Sequence, residues 1–232
     1  MFIFAKSLNL KIVKNMKKVV LTILVTAWAL LANTPAWGQR FEVIVNDGLN
    51  FSSLVGLKDV SPNVGLYSEI GVGYKFNDKL GAELDLAWSE QGAMSAVGDI
   101  FYTYNYDYLN IPLLATYKLP KNLTLLLGVQ AGCFLIAKYT YETPSVLDEG
   151  YVSGEGYFDS SEFHPVDFGV SVGLRWLAIP DLDFGIEVRY THGITQTHNG
   201  IATATNGLPH ISVPNNRNSV FRIGAYFLLW QK

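Results

Sequence analysis

Cysteine is almost missing: Cys133 stands alone among 232 residues. No internal disulfide and no thiolate cluster can form, which excludes disulfide scaffolds and cysteine-rich zinc folds. Charge is also scarce, at 16% of residues with Lys+Arg 17 against Asp+Glu 20. Ordinary soluble domains carry about 25%, and a chain this apolar and this weakly basic is neither disordered nor a nucleic-acid binder. Beyond residue 38 no apolar run reaches the 18 residues of a membrane-spanning helix. What is present is 21 glycines, 13 tyrosines and 13 phenylalanines, the composition of an all-β chain.

Residues 1–38 read as a leader and secretory signal. Met16, Lys17 and Lys18 precede an apolar run from Val19 to Leu31, and Ala36-Trp37-Gly38 supplies small residues for cleavage before Gln39. Met16 is the expected natural start. This segment holds five lysines and no acid, so residues 39–232 keep 12 basic against 20 acidic side chains, a net of −8. An acidic domain of that kind has no nucleic-acid partner.

Residues 39–232 alternate with period 2. Leu80, Ala82, Leu84, Leu86 and Trp88 interleave with Gly81, Glu83, Asp85 and Ala87. Phe168, Val170, Val172, Leu174 and Trp176 interleave with Asp167, Gly169, Ser171, Gly173 and Arg175, and Phe184, Ile186, Val188 and Tyr190 with Asp183, Gly185, Glu187 and Arg189. A helix would scatter the carboxylates onto its apolar side. Five further segments follow the rule at about Phe41–Phe51, Asn63–Phe76, Tyr104–Lys118, Leu123–Ala137 and Asn218–Trp230, which makes eight strands. Short turns at Asn77–Lys79, Leu119–Asn122 and Ala178–Asp181 alternate with long connections at Ser52–Pro62, Gly92–Thr103, Lys138–Phe163 and Gly193–Arg217.

This is the layout of an eight-stranded antiparallel up-and-down transmembrane β-barrel of outer-membrane type, with both termini on the periplasmic side. The apolar set then faces lipid. Glu42, Glu69, Lys75, Glu83, Asp85, Asp167, Arg175, Glu187, Arg189 and Arg222 point inward, where an eight-stranded bore has room only for side chains and the ten groups form a plug. Phe76, Tyr117, Trp176, Phe184 and Phe227 near the short turns, and Trp88, Phe168 and Tyr190 near the long loops, form two interfacial girdles. Pro112 lacks a donor in a sheet without edges, which predicts a bulge or bend there.

The strings Gly48-Leu49-Asn50-Phe51-Ser52, Gly71-Val72-Gly73-Tyr74 and Tyr108-Leu109-Asn110-Ile111-Pro112-Leu113-Leu114 resemble the small outer-membrane β-barrel proteins of Bacteroidetes, PorT-like or "outer membrane protein beta-barrel domain" proteins. The resemblance covers essentially everything after the signal. It implies an outer-membrane location and, for the namesake, a part in type IX secretion; most members have no defined activity.

Catalytic signals are thin. The sequence has no nucleophile elbow and no HExxH, and it calls for no cofactor and no metal. His192 at the end of the seventh strand is the candidate for a lipid-modifying triad, while His198 and His210 sit in an Asn/Thr-rich loop. From Tyr139 to Phe163 the chain carries Glu142, Asp148, Glu149, Glu155, Asp159 and Glu162 with no Lys or Arg, a solvated anionic loop whose tyrosines suit a partner surface. Cys133 is a lipid-facing small hydrophobe. The leading expectation is a non-enzymatic barrel in outer-membrane lipid, with an envelope or extracellular protein as partner. The alternatives are a lipid-modifying enzyme and a secreted lipocalin-like barrel, whose faces would be reversed.

Overall fold

The computed structural model describes residues 41–56, 60–97, 99–144, 151–158, 163–197, 201–202, 211–212 and 216–231. The expected signal, its cleavage after Gly38 and the start at Met16 lie outside them, as do Asp148, Glu149, Asp159, Glu162, His198 and His210. The strands are β1 (Phe41–Val55), β2 (Val60–Lys75), β3 (Leu80–Val97), β4 (Ile100–Leu119), β5 (Leu123–Pro144), β6 (Tyr151–Tyr157), β7 (Val166–Ile179), β8 (Phe184–Gly193), β9 (Ile201–Ala202), β10 (Ile211–Ser212) and β11 (Arg217–Gln231).

Eight of these close a ring in the order β1, β2, β3, β4, β5, β7, β8, β11 and back to β1, each pair antiparallel. Closure leaves no strand edge in the ring, so the backbone donors and acceptors pair internally, as hydrocarbon surroundings require. β6 lies outside the ring and pairs with β5.

Sidedness follows the alternation. Leu84, Leu113, Leu127, Val129, Val172 and Ile223 are exposed, Leu127 at 59%, while Glu83, Glu187 and Arg189 are only 1% exposed. This reverses the order of a soluble protein and excludes the lipocalin-like alternative, whose interior would be apolar.

Three of the four expected long connections differ from expectation. β3 and β4 continue as a hairpin to Val97 and Ile100, β1 and β2 reach Val55 and Val60, and most of the expected anionic loop is a β5–β6 hairpin carrying Glu142 and Glu155 on strands. The excess of β4 (20 residues) and β5 (22 residues) over β8, which has 10 residues, builds a sheet that stands above the ring on one side. A strand of 9–11 residues already spans a bilayer.

No bulge lies at Pro112, but the ladder is irregular on one side of it. Pairing with β5 runs unbroken through Pro112↔Gln130. On the β3 side the ladder lapses between Leu84↔Leu113 and Ala87↔Asn110 and resumes in the same register. A strand residue bonds to one neighbour only, so the missing N–H opens a gap on one side and no residue needs to be extruded. The bulge lies instead at Leu135, since Asp107 pairs with Ile136 and Tyr108 with Phe134.

That bulge changes parity. Below it Leu126, Gln130 and Gly132 face inward; above it Ala137 and Tyr139 do. Deleting Leu135 alone would keep Tyr139 and Tyr141 inward at a strict period of 2, whereas deleting Leu135 and Ile136 together removes the compensating step and turns them outward. The expected result of the double deletion is rapid proteolysis of the β5–β6 hairpin with the ring intact, read by mass spectrometry of limited digests.

Candidate functional site

Three layers of side chains line the inside of the ring. The lowest is the pair Lys75–Glu42 at 2.8 Å, half open to the short-turn end. Above it, three arginines of one wall meet four carboxylates. Arg175 on β7 donates through both terminal nitrogens to Glu83 on β3, at 2.8 and 2.7 Å, and to Glu187 on β8 at 2.9 and 2.6 Å. Arg189 donates to Glu69 on β2 at 2.9 and 3.2 Å, lies 2.5 Å from Glu187 and 3.5 Å from Asp85. Arg222 on β11 donates to Glu69 at 3.0 Å and Gln130 at 3.4 Å. Its guanidinium lies over the Tyr67 ring, and that of Arg175 over Tyr226, at 5.0 and 4.9 Å.

Forked guanidinium–carboxylate pairs are the strong form of the charged hydrogen bond, and water exclusion strengthens them further. Because three of the four acids come from β2 and β3 and the cations from β7, β8 and β11, most of these bonds run across the bore and tie facing walls together. Glycine makes the room. A Cβ on Gly71 would collide with the Asp85 carboxylate, and one on Gly73 would sit 2.7 Å from Cγ of Glu42.

The third layer is neutral apart from Asp167. Asn50 donates to Ser89 at 2.9 Å, Tyr67 to Asn46 at 3.0 Å, and Ser171 and Thr191 share a hydrogen at 2.8 Å. Asp167 is held by Asn218 at 2.9 Å and by Thr195. A cavity of about 10 Å³ beside Gln91, Gln130, Asp167 and Thr191 has space for about one water molecule.

Above the ring the polarity turns over. Along β4, Leu109, Ile111 and Leu113 face outward with Asn110 inward; higher up Thr103, Asn105 and Asp107 face outward while Tyr102, Tyr104, Tyr106 and Tyr108 face inward. Tyr102 and Tyr104 stack at 6.2 Å, and Phe134 stacks on Phe163 at 4.5 Å. With Leu54, Ala93, Ala137, Tyr139 and Phe158 they form a buried apolar cluster. Both faces switching within Asp107–Asn110 marks the level at which the surroundings change from hydrocarbon to water.

The expected girdle residues Phe76, Trp88, Tyr117, Trp176, Tyr190 and Phe227 are all exposed on the outer face. Phe41 and Tyr74 stand 4.9 Å apart and Phe184 and Phe227 5.0 Å apart near the short turns. Glu142 and Glu155 lie on the outer face of the raised sheet, exposed. His192 on β8 pairs across strands with Ser219 on β11, and the Tyr190 hydroxyl bridges them at 3.3 and 3.0 Å. Among the described residues no carboxylate bonds to His192, so they supply no acid member of a nucleophile–base–acid relay.

A family model described as outer membrane protein beta-barrel domain matches residues 32–199, which take in β1 to β8. The chain belongs to the outer membrane protein beta-barrel domain family. Among solved structures, this outer-membrane barrel is similar to the attachment invasion locus protein of Yersinia pestis (13% identity, 82% of this chain and 97% of that one, TM-score 0.43). It is also similar to Neisserial surface protein A (13%, 82% and 97%, TM-score 0.43) and to OprG of Pseudomonas aeruginosa (12%, 83% and 99%, TM-score 0.37). No curated protein sequence matches the chain. The assignment rests on the family model.

The sequence reading left one residue of this barrel unremarked. Asp47 lies on β1 opposite in parity to Asn46 and Asn50, which are fully buried, so its side chain is on the outer face and exposed. The alternation of β1, counted outward from Glu42, is the signal that reveals it.

Two predictions follow from the geometry. Arg175→Leu leaves Glu83 and Glu187 buried without their fork, so stability in vesicles falls by about 3–5 kcal/mol, measured by tryptophan fluorescence in urea. In the raised sheet, burial pushes the Tyr104 hydroxyl above the usual tyrosine range, and Tyr106 likewise. The neutral forms are the stabilising ones, so their contribution is complete below about pH 10 and is lost as pH rises through the folded-state values. Tyrosinate absorbance of the wild type against Tyr104→Phe reads this shift.

Proposed function

We propose that this outer-membrane barrel is a non-enzymatic, non-conducting scaffold that holds the β3–β6 sheet and its anionic outer face outside the cell for a protein partner, with both termini in the periplasm. The observation that carries the reading is the clasp of Arg175, Arg189 and Arg222 on Glu69, Glu83, Asp85 and Glu187, which fills the bore between facing walls. Ions crossing it would have to break several charged hydrogen bonds between side chains that an eight-stranded bore packs against one another. Asp167, Glu42 and Lys75 extend the same plug toward its two mouths.

The raised sheet supports the partner role. Its inner face is spent on the aromatic cluster, and its outer face offers Glu142, Glu155, Tyr151 and Tyr157 to solvent. A role in secretion is the finer possibility attached to the family resemblance. A lipid-modifying role through His192 and Ser219 is the second reading, favoured only by their shared hydrogen bonds with Tyr190.

Planar-bilayer recording tests the first reading: the purified protein gives no steady current, whereas Arg175→Ala/Arg222→Ala opens a small one. A wild-type channel of stable conductance contradicts it. Lipid A profiles that change with His192→Ala would favour the second reading instead.

A further inference from the structure

The outer surface between the two girdles is apolar except at one place. Reading the outward positions of the eight ring strands, every described side chain there is aliphatic, aromatic, alanine or Cys133 apart from Asp47 and Ser68. These two are not scattered. Asp47 pairs directly with Ser68 on β2, and on its other side with Ala225 on β11. Asp47 sits six residues from Phe41 and four from Phe51, well inside the span, between Val45 and Leu49. Its carboxylate has no hydrogen bond and no ion pair with any described residue.

An ionisable group facing hydrocarbon without a partner is unfavourable, and such residues mark functional contacts. The seven charges buried in this barrel are all held by counter-charges, so the chain meets that requirement elsewhere and not here. The row Ala225, Asp47, Ser68 also consists of small side chains around the carboxylate. Small residues at an intramembrane interface let another segment approach closely, and a hydroxyl adds a hydrogen-bonding group.

From these observations we infer that Asp47 and Ser68 form a lateral docking site, within the bilayer, for an apolar membrane-spanning segment of a different protein that carries a Lys or Arg at mid-depth. A second copy of the barrel is the poorer occupant, because a two-fold contact sets Asp47 against Asp47. The inference rests on the barrel reading, with lipid outside, and goes beyond it by naming the chemistry of the partner.

The test uses the full-length barrel in phosphatidylcholine vesicles, labelled at Cys133 on the opposite wall, and a polyleucine transmembrane peptide with one central Lys. Energy transfer should show association at least tenfold tighter than for the all-Leu peptide. Asp47→Asn should abolish that preference, and Asp47→Glu should keep it. Equal association of the two peptides, or a Lys preference that survives Asp47→Asn, overturns the proposal. Barrel-to-barrel transfer without peptide that vanishes in Asp47→Asn assigns the site to a second copy and also overturns it. Heat-modifiable gel migration of each variant reports folding separately. Failure of the wild type to insert would refute the barrel reading itself.

Discussion

In hydrocarbon every backbone N–H and C=O must find a partner within the protein, and every charge must find its counter-charge, because water is not there to do either. The closed eight-strand ladder answers the first demand and the arginine–carboxylate clasp answers the second. The two are linked. Closing eight strands leaves a bore too narrow for anything but side chains, so inward charges are forced into contact, and Arg175 reaches Glu83 across the bore at 2.7 Å. The apolar residues displaced from the inside are the ones that meet lipid.

The same rule explains why the molecule changes character along its axis. Where β4 rises past Asp107 the surroundings can hydrate backbone and charge again, and the sheet returns to the ordinary arrangement of aromatic inside and polar outside. The bulge at Leu135 is the device that lets β5 make this change without losing its inner face. Sidedness, bulge and aromatic cluster are therefore consequences of one boundary between two solvents. Pro112 fits the same picture: its single missing donor is absorbed as a one-sided gap in a ladder that keeps its register.

Much of this architecture is legible in the sequence. The ring strands from Leu80, Val166 and Phe184 declare themselves because charged and aliphatic residues alternate cleanly, and parity alone separates Glu83 from Leu84 and Arg189 from Tyr190. The raised sheet was not readable in the same way. There the alternation pairs tyrosine with threonine and asparagine, a contrast too weak to distinguish from a polar loop, and Gly154 and Gly156, within the expected Lys138–Phe163 connection, lie on β6 beneath the Tyr141 and Tyr139 rings. Which carboxylate meets which arginine was equally hidden, since partners such as Glu69 and Arg222 are separated by 153 positions. Asp47 escaped notice because its strand is less regular near Glu42, where a register shift falls between Val43 and Ile44.

The most direct measurement compares two neighbours of identical chemistry on β5. Leu126 is fully buried and Leu127 is 59% exposed, so nitroxide labels at Leu126→Cys and Leu127→Cys, in a Cys133→Ala background and in lipid vesicles, differ only in the side of the wall they occupy. The account predicts frequent collisions of the 127 label with oxygen dissolved in the bilayer and few for the 126 label. The opposite order, or equal access at both positions, would contradict an apolar outside wrapped around a charged interior.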